Sequence, residues 1–353
     1  MRDSKKAIIV SIVFVLIISI ISGIIIAPVF GLNTDRFLRK KLSGKINYAI
    51  IGASQGYYGF VPQIIDEKLD VCSYNLCGGN LTWNGRKVLF DEIITDNKLD
   101  TLVMEISYNA FVREDYDSEG NYHLLPRLGF QLGYSLNNIR ITDLDQYYSR
   151  YFYSGIIKWT RIAGLLYKNH FSYHKVKDAL ISDIDTPLNN ELKGLKKKHF
   201  VDITIKPENV SDSLSSKTLD TDFSENNIAV LDNIINECNE RNINVIFAVV
   251  PISDSMIWMY NNMDEYFDKV KSITDSYGYP LFDFNLLKNR YALFNDSISY
   301  SSQSHFGKEG AVVFTEEYCK IMNKVKDCED VSDYFYSSYE EMKRDSPYWR
   351  FME

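Results

Sequence analysis

One serine and one histidine, far apart in the chain, have the surroundings that nucleophilic catalysis requires. Ser54 lies in "AIIGASQGYYGF", where a strand-like apolar run passes directly into a turn of small residues. His305 lies in "SSQSHFGKEGA", immediately before a segment with helical spacing. A serine hydroxyl becomes a good nucleophile when a base takes its proton, and histidine is the most common base. The two segments therefore predict an acyl-transfer site that joins Ser54 and His305.

Both residues also have an ordinary structural explanation. A serine between a strand and a helix is a good helix N-cap, and a histidine before a helix can cap that helix or lie on the surface. We prefer His305 as the base because it alone adjoins a regular element. The other histidines lie in a stretch without a regular pattern, at His123, His170, His174 and His199.

Hydrogen-bond donors for a developing oxyanion are available at three predicted strand ends. The amide of Ser54 lies near a helix N-terminus, where the backbone favours negative charge. The loop "CGGN" contains Gly79, whose small size lets its amide approach a carbonyl, and it ends at Asn80. Asn109 follows a further apolar run. Gly79 with Asn80 or Asn109 is thus a candidate oxyanion and substrate-binding set, although the glycine could equally belong to a plain turn and an asparagine such as Asn109 is usually only a turn former.

Strands and helices that alternate along the chain would bring these points together. Strand-like runs are "INYAIIGAS", "DVCSYNL", "LDTLVMEI", "INVIFAVVP" and "YPLFDF", and helical segments separate most of them. This alternation predicts a flavodoxin-like α/β fold, a parallel sheet with helices on both faces. Ligands of such sheets bind beyond the carboxyl ends of the strands, where Ser54 and Asn109 are expected.

The same motifs carry a family resemblance. "GASQ" after the first strand, an "N…GGN" loop after the second and "SHFGKEGA" before the last helix resemble the SGNH, or GDSL-type, hydrolase superfamily. The likeness covers roughly residues 45 to 111 and 226 to 326, and it is greatest to membrane-anchored, extracytoplasmic members associated with cell-envelope polysaccharides. A narrower likeness is to the protein that assists D-alanyl transfer to teichoic acids.

The resemblance implies a serine esterase or O-acyltransferase, often for acetyl groups, that needs no metal or organic cofactor. It implies Ser54 as nucleophile and His305 as general base, with the Ser54 amide, Gly79 and an asparagine, Asn109 rather than Asn80, around the oxyanion. It further implies an acylated glycan or envelope polymer as substrate. A multi-pass acyltransferase or an export system would be the protein partner.

The sequence departs from this family at the residue that orients the base. The family has an aspartate three residues before the histidine, whereas this chain has Ser302, and Ala53 replaces another common aspartate. Asp296, nine residues before His305, is the nearest candidate substitute. Three interpretations stay open: a Ser–His dyad oriented by a backbone carbonyl, a triad completed by Asp296, or an inactive domain kept for glycan binding or assembly.

The N-terminus predicts a membrane anchor. Residues 7–30 contain no charge and would form a helix about 36 Å long, enough to cross a bilayer. A cleaved signal peptide is disfavoured because "IIIAPVFG" lacks a small-x-small site. An extracytoplasmic domain fits the resemblance but not the positive charges, since more lysines and arginines follow the span than precede it. The orientation is left open by these opposing signals.

Charge and cysteine spacing argue against two further kinds of function, nucleic-acid binding and a zinc site. The net charge is −8 and no basic, aromatic-rich stripe is present, which argues against a nucleic-acid partner. The five cysteines are spread too widely for a zinc site. We predict a short N-terminal tail (1–6), an anchor (7–30), a stalk (31–45), an SGNH-like domain (46–330) with a mostly helical insertion at about 112–225, and a C-terminal tail (331–353).

Overall fold

The computed structural model describes residues 42–79, 81–112, 217–294 and 296–346. All of these residues belong to one compact unit. The predicted anchor, Asn80, and most of the predicted stalk and insertion lie outside the described residues.

A five-stranded parallel sheet forms the centre of this unit. Its strands are β1 (Tyr48–Ile51), β2 (Ser73–Asn75), β3 (Thr101–Glu105), β4 (Asn244–Val249) and β5 (Leu281–Asp283). They lie in the order β2-β1-β3-β4-β5, and each neighbouring pair is parallel. This is the flavodoxin-like order, in which the chain reverses its direction of winding beside β1. The predicted parallel α/β sheet is confirmed.

Helices follow the strands, and a short hairpin lies near the C-terminal end of the domain. The helices are α1 (Ser54–Gly59), α2 (Pro62–Leu69), α3 (Trp83–Asp96), α4 (Glu225–Arg241), α5 (Asp254–Met259), α6 (Met263–Ser276), α7 (Arg290–Leu293), α8 (Asp296–Ser299), α9 (Lys308–Lys326) and α10 (Tyr339–Arg344). The antiparallel hairpin pairs β6 (Tyr300–Ser302) with β7 (His305–Phe306). Sequence patterns predicted the long helices but not this hairpin.

Both faces of the sheet are covered, as near-continuous apolar strands require. On one face, Ile50 of β1, Val103 of β3 and Ile246 of β4 join a core with side chains of α2 and α9. Helices α3 and α4 pack against each other and against strands of the same sheet. The side chains of β1 are all buried, which explains why its sequence "YAII" has no polar alternation.

The segment after α9, expected to be a tail, contributes to the core in the described part of the chain. Tyr339 and Met342 of α10 are buried, and the Tyr339 ring stacks on Phe267 of α6. Within the described residues, no helix is both long enough and apolar enough to span a bilayer.

Asp283, at the end of β5, makes the stability of this core depend on pH. Its carboxylate accepts hydrogen bonds from the Tyr339 hydroxyl at 2.6 Å and the Asn285 amide at 3.0 Å. Burial nevertheless raises the pKa of Asp283 from 3.8 to about 6. The folded protein therefore holds a proton that the unfolded chain has released between these two values, and stability falls as pH rises through this window.

We expect Asp283→Asn to remove this pH dependence. The shift corresponds to a loss of about 2 kcal/mol from the wild-type free energy of unfolding between pH 4 and pH 7. Urea unfolding of both proteins across this range measures it, because other titrating groups cancel in the difference. A difference between variant and wild type that does not change with pH would contradict the assignment.

Candidate active site

Ser54 lies at the carboxyl end of β1 and is the first residue of α1. The N-cap position is taken by Ala53, and no side chain makes a capping hydrogen bond at this helix. The Ser54 hydroxyl therefore does not serve as a helix cap. Ser54 is half-buried, so part of the residue is exposed to solvent.

The structure brings Ser54 and His305 together. The Ser54 Oγ lies 2.8 Å from the His305 Nε2, although 251 positions separate the two residues. The Ser54 Oγ also lies 3.3 Å from the Gln55 Oε1, a longer contact. The shorter distance is that of a good hydrogen bond, and it places an imidazole nitrogen where it can take the hydroxyl proton.

The β6–β7 hairpin holds His305 at this position. Hydrogen bonds tie the hairpin to its surroundings: Ser253 donates its amide to the Gln303 carbonyl at 2.9 Å, and Gly307 donates to the Ser299 carbonyl at 2.7 Å. A Cβ atom on Gly310 would lie 2.1 Å from the Ser299 carbonyl oxygen. Gly310, the second glycine in "GKEGA", thus allows α9 to pack closely against the end of α8.

Two hydroxyls contact the other ring nitrogen of His305. The His305 Nδ1 lies 2.8 Å from the Ser302 Oγ and 3.0 Å from the Ser304 Oγ. Ser302 is the cross-strand partner of His305 in the hairpin, which explains the contact. When Nδ1 carries the ring proton it donates to these oxygens, and Nε2 then accepts from Ser54. Hydroxyls therefore contact the nitrogen for which a backbone carbonyl or Asp296 was considered as a partner.

Tyr58 packs edge-on against the His305 ring, with centroids 5.1 Å apart and planes at 71°. Tyr58 and Ser54 are four positions apart in the same short helix, so they share one face. The contact limits the rotation of the His305 ring, and it comes from the helix that also contains Ser54. The sequence analysis did not single out this tyrosine.

The predicted oxyanion donors lie on neighbouring strand ends. The Gly78 amide donates to the Gly52 carbonyl at 3.2 Å, which ties the loop after β2 to the serine turn, and the adjacent Gly79 is half-buried. Asn109 lies in the turn after β3 with a left-handed φ of 64°. Asn80 lies outside the described residues. The oxyanion role of Gly79 and Asn109 stays a prediction.

A buried carboxylate lies beneath the serine turn, and sequence reasoning missed it. The Glu105 Oε2 accepts the Ala53 amide hydrogen at 2.7 Å, and Glu105 has no exposed surface. Burial raises the pKa of Glu105, and the nearby Arg86 charge opposes that rise. Burial likewise lowers the pKa of Arg86. The signal was a lone acidic residue in the otherwise apolar run "TLVMEI".

The remaining predicted site residue, Asp296, is the first residue of α8. Its side chain lies outside the described part of the structure, so its proposed contact with His305 stays a prediction. Among the described residues, no group of three or more His, Cys, Asp or Glu side chains is arranged to hold a metal ion.

Comparisons with known proteins give only distant likenesses. No family model matches the chain, and no curated protein is similar to it. Two solved structures that it resembles are described as a lipolytic protein of the G-D-S-L family from Desulfitobacterium hafniense and an acylhydrolase from Bacteroides fragilis. The first has a TM-score of 0.37 and 10% identity, over 78% of this chain and 98% of its own. The second has a TM-score of 0.37 and 10% identity, over 83% and 97%. Likenesses of this degree carry no argument about function, which must rest on the side chains themselves.

Proposed function

We propose that this chain is a serine-dependent ester hydrolase or O-acyltransferase of the SGNH type. The observation that carries the proposal is the 2.8 Å contact between the Ser54 Oγ and the His305 Nε2 at the carboxyl edge of the sheet. Nucleophile, base and a group that orients the base are the parts of an acyl-transfer centre. Ser54, His305 and Ser302 supply them.

The reaction begins when the Ser54 oxygen attacks the ester carbonyl and His305 takes the hydroxyl proton at Nε2. The carbonyl oxygen becomes an oxyanion, for which the Ser54 amide, the Gly79 amide and Asn109 are the proposed donors. The tetrahedral intermediate collapses, the ester C–O bond breaks, and the His305 proton passes to the departing alkoxide. Ser54 is left as an acyl ester.

The second half repeats these steps with a new nucleophile. His305 takes a proton from water, or from a sugar hydroxyl, whose oxygen attacks the acyl-Ser54 carbonyl. When the intermediate collapses, Ser54 leaves and regains its proton from His305. Water gives the free acid and sugar gives a transferred ester, so hydrolase and transferase differ only in the acceptor.

Ser302 and Ser304 supply orientation without charge. They hold the tautomer with the proton on Nδ1, as the aspartate of related sites does, but a neutral hydroxyl stabilises the transient imidazolium less than a carboxylate. We therefore expect His305 to remove the Ser54 proton more slowly than a histidine that is oriented by a carboxylate. The two hydroxyls duplicate each other, because both lie within hydrogen-bond distance of Nδ1.

We expect the double variant Ser302→Ala, Ser304→Ala to lower kcat/KM for an aryl acetate roughly 10- to 100-fold, less than the loss of a triad carboxylate. Each single variant should lose less, because the other hydroxyl remains. Ser302→Asp should instead raise kcat/KM about tenfold by adding charge beside the imidazolium. A double variant as fast as the wild type would exclude an orienting role for both serines.

The substrate class is part of the proposal. An anchor at residues 7–30 and the resemblance of the serine and histidine motifs favour an acylated cell-surface glycan or envelope polymer, met on the extracytoplasmic side of the membrane. A multi-pass acyltransferase or export system is the proposed partner, and no cofactor is required. Transfer of D-alanyl esters on teichoic acids is the narrower alternative.

The proposal is tested by reacting the full-length protein with a serine-directed fluorophosphonate and mapping the label by mass spectrometry. The expected result is one labelled peptide that contains Ser54, together with hydrolysis of aryl acetates. Folded protein that neither takes the label nor cleaves these esters would refute the proposal that this chain is a serine esterase or acyltransferase.

A second candidate is a silent glycan-binding or assembly subunit. The observation that favours it is Ser302, which replaces the charged residue that related active sites place before the histidine. The same labelling experiment separates the two candidates, because a silent domain is expected to keep its fold and leave the fluorophosphonate unreacted.

A further inference from the structure

Glu105 supports the serine turn from beneath. It is the last residue of β3, next to β1 in the sheet, and it is fully buried. The Oε2 atom accepts the amide hydrogen of Ala53, the residue before the nucleophile, at 2.7 Å. This hydrogen bond joins the side chain of one strand to the turn that presents Ser54.

The glycines on either side of Ser54 make room for this side chain. A Cβ atom on Gly52 would lie 2.4 Å from the Glu105 Cβ and 2.5 Å from its Oε2. A Cβ atom on Gly56 would lie 3.1 Å from the Glu105 Cγ. The spacing "GASQG" thus matches the shape of Glu105, which lies against the turn before and after the serine.

The surroundings of Glu105 do not satisfy its whole carboxylate. The Glu105 Oε1 is buried and has no hydrogen-bond partner within the described residues. Arg86 lies nearby, but its Nη1 donates to the main-chain carbonyl of Glu105, at 2.9 Å. A buried charge with an unused acceptor is costly, and an apolar residue of similar volume would often fit such a position better. The carboxylate also interacts with the Arg86 charge, but its bond to Ala53 is the interaction that reaches the serine turn.

We infer that Glu105 is a positioning residue for Ser54: its carboxylate oxygen fixes the Ala53 amide and thereby the turn that aims the Ser54 Oγ at His305. The inference rests on the proposed role of Ser54 as nucleophile. Glu105 does not touch the reacting atoms. It acts by limiting the conformations of the turn, and a displacement of about 1 Å at a nucleophile can cost roughly 100-fold in rate.

Two variants of matched length separate positioning from packing. Glu105→Gln keeps an oxygen that accepts from Ala53, whereas Glu105→Met fills the same space and has no such acceptor. Both variants remove the negative charge near Arg86. A difference between their labelling rates therefore reports the hydrogen bond to the Ala53 amide. Val270→Ala, a buried change in α6 that has no part in the proposed site, controls for lost stability.

The readouts are the second-order rate of fluorophosphonate labelling at Ser54 and the hydrogen exchange of the Ala53 amide, both on the full-length protein. We expect Glu105→Gln to label within about threefold of the wild type and Glu105→Met to label 30- to 100-fold more slowly. Exchange at Ala53 should accelerate at least tenfold in Glu105→Met and stay slow in Glu105→Gln and Val270→Ala.

Equal labelling rates and equal Ala53 exchange in the Gln and Met variants would overturn the inference, and so would a Gln variant as slow as the Met variant. If the wild type takes no label, the enzyme proposal fails. The exchange measurement then still decides whether Glu105 holds the turn, because it needs no catalysis.

Discussion

Ser54→Ala is expected to abolish fluorophosphonate labelling and to lower the hydrolysis of aryl acetates by at least about 10³-fold. The variant removes the oxygen that forms the covalent bond with the label or with the acyl group. The proposed oxyanion donors remain in this variant, so a small residual rate over water is expected. Labelling intensity and kcat/KM of the purified full-length protein measure both effects.

The matched control is Ser276→Ala. Ser276 is exposed on α6, and its hydroxyl donates only to the Ile273 carbonyl of the same helix in the described structure. This variant should label and turn over like the wild type. Unchanged labelling of Ser54→Ala would mean that another residue reacts, and the assignment of the nucleophile would be wrong.

His305→Ala has the second largest expected effect, a loss of about 10²- to 10⁴-fold in kcat/KM and a similar slowing of labelling. Without the imidazole, the Ser54 hydroxyl at 2.8 Å loses the base that would take its proton. Kinetics of ester hydrolysis measure the loss. Free imidazole added to the assay should restore part of the rate, because it can enter the space that the side chain leaves.

His199→Ala is the control for this variant, since the proposal gives that histidine no role. It should leave kcat/KM unchanged. A His305→Ala protein that still labels at the wild-type rate would show that His305 is not the base that activates Ser54.

The sheet could be predicted from sequence because its signals are local. Each strand is a short apolar run, and the runs around Tyr48–Ile51 and Asn244–Val249 have side chains buried on both faces. Such runs, separated by helical spacing, indicate a parallel sheet without knowledge of any contact. The order of strands then follows from general rules, and it places Ser54 at the ligand-binding edge.

The details of the site could not be predicted in the same way. The contact of Ser302 with the imidazole depends on the register of a hairpin whose strands are two and three residues long, too short to show a pattern. The place of Glu105 depends on how β1 and β3 pair, and on the space at Gly52. These are long-range contacts, which local sequence propensities do not predict.

Trapping the acyl-enzyme tests the central claim most directly. The full-length protein is mixed with an activated acetyl ester, quenched in acid within one turnover, digested and weighed by mass spectrometry. The account predicts one acetyl group on the peptide that contains Ser54, absent in Ser54→Ala and lost with time as water or an added sugar accepts it. Ester turnover with no acetyl group on Ser54, or with the group on another residue, would contradict it.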